Sequence, residues 1–148
     1  MNTQQSDKLI DGKAAAAQVI EEVAAEVATL KAEGLEPALA VVLIGDAPAS
    51  HVYVRNKVLR AEQAGIRSLE FRMQADSSAE AVLEMIAGLN ADPRVHGILV
   101  QLPLPAHIDE RLVLQAIDPA KDVDGFHSDN VGGLSQGRPV LTPCTPAG

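Results

Sequence analysis

From Asp11 to Lys31, apolar side chains fall at Ala16, Val19, Ile20, Val23, Val27 and Leu30, a spacing that draws one stripe along a helix. Asp11 stands where an N-cap is needed, and Gly34 where such a helix stops. The run Ala38–Ile44, ALAVVLI, has no polar interruption, the pattern of a strand covered on both faces. Gly45 ends it, and a helix is predicted from Pro48 to Ala64 with Val54, Val58 and Ala61 facing the sheet. Arg67–Met73 alternates more weakly and predicts a second strand. Ser77 and Glu80 match a capping box for a helix through Val82, Leu83, Ile86 and Leu89. Val95–Val100 predicts a third strand, and Asp109–Ile117 a short helix.

Helix alternating with strand in this way predicts an α/β fold, a three-layer open sheet of mainly parallel strands with alternating helices. Beyond Asp118 the pattern stops. Pro119, Pro139, Pro143 and Pro146, with Gly125, Gly132, Gly133 and Gly137, predict a loop-rich connector over 119–148. There is no internal repeat and no low-complexity tract. At 148 residues, the chain has the size of one ordinary domain.

Composition narrows the partners. Aromatic residues are 2% of the chain, so the core has to be built from Ala, Val, Leu and Ile. A net charge of -8, with no basic run, repels phosphate backbones and argues against nucleic acid. The single cysteine, Cys144, rules out an internal disulfide and fits a reducing compartment. The start, MNTQQSDKLI, has no apolar segment of signal-peptide length, and no apolar run reaches the ~18 residues of a membrane span. A cytoplasmic protein is expected.

The chemistry is concentrated on the second predicted helix. Ser50, Tyr53 and Lys57 stand at i, i+3 and i+7, one stripe separate from the apolar one. By spacing alone, the commoner reading is a surface lysine beside a half-buried tyrosine. Position favours a site, because open α/β sheets bind ligands outside the carboxyl ends of their strands. The loop Gly45–Ser50 leaves the first strand at that edge, and Gln101 follows the third, so two segments converge on one crevice.

Other readings fit less well. Asp122 and Asp124 suggest calcium, but an EF-hand loop needs glycine at its sixth position and here Gly125 comes fourth; no metal is expected. His51, His96, His107 and His127 show no ligand spacing, and Cys144 has no evident base. Tyr53-x-x-x-Lys57 also matches the signature of short-chain dehydrogenases, which requires a glycine-rich turn after the first strand. Only Gly45 is available there. Walker A and Gly-x-Ser-x-Gly motifs are absent.

Taken together, Gly45-x-x-x-Ala49-Ser50-x-x-Tyr53-Val54-x-x-Lys57, Gly65-Ile66, Gly97-Ile98-Leu99-Val100-Gln101-Leu102-Pro103-Leu104-Pro105, Lys121-Asp-Val-Asp-Gly125 with Asn130-x-Gly132-x-Leu134, and Pro143-Cys-Thr-Pro146 form an ordered set. It resembles bifunctional methylenetetrahydrofolate dehydrogenase/methenyltetrahydrofolate cyclohydrolase, from about Gly12 to the last residue. The resemblance implies that Lys57 is the catalytic lysine and that Tyr53 lies against the folate. It implies that Gln101 tunes the lysine and that Asp124 holds the pterin. Ser50 matches a serine near the site, and Val100 and Leu102 match positions that line the substrate. Leu59 departs from the pattern, since many members carry a second basic residue there; Arg60 is a candidate replacement.

That chemistry stands on its own terms. A methenyl cation bridging N5 and N10 of the folate adds water, and the adduct must lose a proton. A free lysine is almost wholly protonated at neutral pH, but partial burial and a cationic substrate favour the neutral amine, a credible proton shuttle. A carboxylate such as Asp124 can accept two N–H bonds from an amino-pyrimidinone edge. The resemblance further implies that NADP binds a Rossmann-type domain absent from this chain. Residues 1–148 are then expected to be the folate-binding catalytic domain of a longer, homodimeric protein, the piece alone being monomeric. A folate-binding domain without turnover is the alternative.

Overall fold

The computed structural model describes residues 11–144. The first ten residues, and with them the signal-peptide expectation, lie outside this range, as does the end of Pro143–Pro146. The elements are α1 (Gly12–Ala32), β1 (Ala38–Ile44), α2 (Pro48–Gln63), β2 (Arg67–Met73), α3 (Ala79–Ala91), β3 (Gly97–Val100), α4 (Glu110–Ala116) and α5 (Ser128–Ser135). No helix among the described residues is long and apolar enough to cross a membrane.

The sheet is parallel, ordered β2-β1-β3, with Ala38 opposite Arg67 and Leu39 opposite Gly97. β1 is its centre, which explains why its sequence is apolar on both faces. Ala40, Val42 and Ile44 point into the larger core with Ile98 and Val100, closed by Val82, Ile86 and Leu89 of α3 and by Val113 of α4. Val41, Leu43 and Leu99 point the other way, under Val54 and Val58 of α2. Each such fully buried aliphatic side chain contributes about 1.5–3 kcal/mol. Three layers result, as the sequence predicts.

Several expectations are corrected. The cap of α3 is Ser78, whose hydroxyl accepts from Ala81 N at 3.2 Å, rather than Ser77. β3 begins at Gly97, because Val95 N donates to Asp92 O in a turn. The stripe on α1 is mostly uncovered: Val27 is buried against Gly65, while Val19 and Leu30 are exposed. Within the predicted connector lies a helix, α5, despite Gly132 and Gly133. A Cβ on Gly133 would stand 2.8 Å from Arg138 O, so that glycine permits the return of the chain beside the helix.

A short bridge extends the sheet beyond β3. Ile98 pairs in parallel with Asp122, and Ile98 N donates to Lys121 O at 2.7 Å. Gly97 makes this approach feasible, since a Cβ there would come within 2.6 Å of Val123 Cγ1. The turn after Asp122 therefore emerges at the β3 edge.

Candidate active site

α2 starts directly after the Gly45 turn, where φ is +85° and Gly45 N donates to Met73 O at 2.9 Å. Pro48 opens the helix, which has no side-chain cap. Burying Val54 against the sheet fixes the helix rotation. Tyr53 is then 62% exposed and Lys57, one turn on, half-buried. Ser50 departs from the expected stripe, since it is buried at the helix start.

Gln101 continues β3: its N–H donates to Val42 O at 2.9 Å, and the alternation that places Leu99 under α2 puts Gln101 on that side too. Its Nε2 donates to Leu102 O at 2.7 Å, and Oε1 is buried without a hydrogen-bond partner among the described residues. Buried polar atoms are rarely left so, and an orphaned acceptor calls for an explanation. Val100 and Leu102 belong to the opposite face, Val100 within the α3–α4 core and Leu102 packed against it. Their side chains point away from α2, so what they can offer the crevice is backbone. Leu104 N donates to Glu110 Oε1 at 2.9 Å, which ties down the loop that follows.

The third contribution is the turn 121–127. Lys121 Nζ donates to the carbonyls of Leu89, Asn90 and Asp92 at 3.2, 2.8 and 2.9 Å, closing the end of α3. Asp122 is buried, and its Oδ2 accepts from His127 N at 2.8 Å and from Asn130 Nδ2 at 3.0 Å. Asp124 receives no hydrogen bond among the described residues. Burial pushes its carboxyl above the ordinary carboxylate range; the nearby Lys57 ammonium pulls it down, and the Asp122 carboxylate raises it further. Lys57 and Asp124 are thus electrostatic neighbours, although no direct ion pair joins them. The roles of Asp122 and Asn130 have no signature in spacing, because the two residues meet only when α5 folds back.

Concavities elsewhere, beside α5 and between α2 and the β2 edge, include neither Lys57 nor Asp124.

Residues 10–124 match the family model of the tetrahydrofolate dehydrogenase/cyclohydrolase catalytic domain. The chain belongs to this family. It is 72% identical, over all of its length and 48% of the relative's, to bifunctional protein FolD 3 of Ectopseudomonas mendocina (strain ymp). The crystal structure of the bifunctional FolD methylenetetrahydrofolate dehydrogenase/cyclohydrolase of Campylobacter jejuni matches with a TM-score of 0.91 and 47% identity, over 93% of this chain and 49% of that one. The Trypanosoma brucei dehydrogenase-cyclohydrolase, solved with NADP cofactor and inhibitor, matches with a TM-score of 0.89 and 36% identity, over 94% of this chain and 48% of that one. The chain spans about half the length of the curated relatives it matches. The family match ends at Asp124, so the candidate site lies inside it and α5 outside.

Proposed function

We propose that residues 1–148 supply the folate site of an enzyme that interconverts 5,10-methylene-, 5,10-methenyl- and 10-formyltetrahydrofolate, a dehydrogenase and cyclohydrolase. What supports this reading is that the Lys57 ammonium acts on the Asp124 carboxyl, together with an orphaned Gln101 acceptor directly after β3. The exposed ring of Tyr53 offers the folate a flat apolar surface one turn from Lys57. The Asp124 carboxylate, free of protein donors among the described residues, accepts two N–H bonds from the amino-pyrimidinone edge.

In hydrolysis, the water oxygen bonds to the methenyl carbon and the Lys57 amine takes the released proton. N5 of the neutral adduct then takes up a proton, the bond from that carbon to N5 breaks, and the hydroxyl gives up its proton as its C=O forms, leaving the neutral 10-formyl group. Gln101 Oε1 is an acceptor for the ammonium that Lys57 becomes, which holds the side chain toward the substrate.

NADP does not fit the residues present. None of the three strands feeds a glycine-rich turn into a helix: β1 is followed by a single glycine and Pro48, β2 by Gln74-Ala75-Asp76, and β3 by Gln101-Leu102-Pro103. The nucleotide belongs to a second domain outside this chain. The test supplies purified residues 1–148 with methylene-folate plus NADP and, separately, with methenyl-folate. Slow hydrolysis without any NADP reduction is expected, since hydride transfer needs two ligands held together. NADP reduction by this chain alone would refute the division of labour.

A further inference from the structure

The acids of the 121–125 segment are held unequally. Asp122 Oδ2 is saturated by His127 N and by Asn130 Nδ2, and the same Asn130 amide donates to Pro119 O at 2.9 Å. One buried side chain of α5 thereby pins both ends of the loop 119–122. On the far side of Asp124, Gly125 has φ +67°, and a Cβ there would stand 2.8 Å from Pro143 Cδ. The stretch after α5 thus lies close against the turn. Asp124 itself sits between these two clamps with no protein hydrogen bond among the described residues, so its place is set by the backbone on either side.

We propose that Asp122 and Asn130 are positioning residues for folate binding, acting through Asp124. The inference rests on Asp124 being a folate ligand. The Asn130–Asp122 tie makes affinity depend on α5, which lies beyond the family-matched segment. A pterin edge needs its two acceptor oxygens placed to within a fraction of an ångström, and an unpinned turn averages over many placements.

A double-mutant cycle tests this by calorimetric titration of residues 1–148 with 5-formyltetrahydrofolate, a stable reduced folate with the same amino-pyrimidinone edge. Asn130→Ala is expected to weaken binding about tenfold in the wild-type background and to add nothing to Asp124→Asn, because coupled residues are non-additive. Asp122→Asn, whose amide oxygen can stand where Oδ2 accepts both donors, should bind nearly as wild type, and Asp122→Ala should not. If Asn130→Ala melts below the titration temperature, Asn130→Ser, which keeps a short donor, carries the same cycle. Losses that multiply in the double variant would overturn the positioning alone. Wild-type affinity in Asp124→Asn would overturn the folate reading and the positioning with it.

Discussion

Asp122 and Asp124 are two residues apart on one turn and do opposite things. Asp122 is buried, paired with α5 and saturated; Asp124 is half-buried, unpaired among the described residues and held with its carboxyl above the usual range. The chain turns here, with Gly125 N donating to Asp122 O at 3.1 Å, so the two acids do not share one strand face: one enters the bracing network and the other feels the Lys57 ammonium. A motif that reads as a single functional unit is therefore half scaffold. Lys121 belongs to the scaffold half as well, since its ammonium closes the end of α3.

The contrast can be broken from the scaffold side first. Asp122→Ala strands the His127 N–H and removes one partner of Asn130, and should lower unfolding free energy by about 3 kcal/mol in urea melts. Asp124→Asn removes no internal hydrogen bond and should instead weaken folate binding by ~1.5–3 kcal/mol, read by calorimetry. Loss of stability with intact affinity in Asp124→Asn would exchange the roles. Gly97→Ala drives a methyl group into Val123 and should cost about 1–3 kcal/mol of stability while disturbing the same turn.

The pH response separates the two acids more finely. A carboxyl raised in the folded state favours folding while protonated, and that contribution is lost as pH rises through its folded value. Wild-type stability should therefore decline slightly above the ordinary aspartate range, and Asp124→Asn should lack that decline and melt a little higher at neutral pH. Folate binding follows the opposite sign, strengthening as Asp124 ionises. Melting curves of the two proteins across that range would show the difference; identical pH dependences would contradict the burial of Asp124.

Much of this was legible in the sequence, for identifiable reasons. β1 and β2 are bounded by glycine and by the ends of their apolar runs, and Asp11 does cap α1 through Lys13 N and Ala14 N. The stripe Val54–Val58 correctly orients α2, which is what presents Tyr53 and Lys57. α5 was not legible, because Gly132 and Gly133 lower helix propensity and tertiary bonds from Asn130 hold it instead. Nor could spacing tell Asp122 from Asp124, or show that Val100 and Leu102 face the far core, since both depend on the register of the added bridge and of β3.

The central claim is that Lys57 moves the proton while Asp124 holds the substrate. Its most direct test measures methenyl-folate hydrolysis and folate affinity together for residues 1–148 carrying Lys57→Met. The account predicts that hydrolysis falls to the uncatalysed rate while affinity stays near wild type. Hydrolysis unchanged from wild type would contradict it.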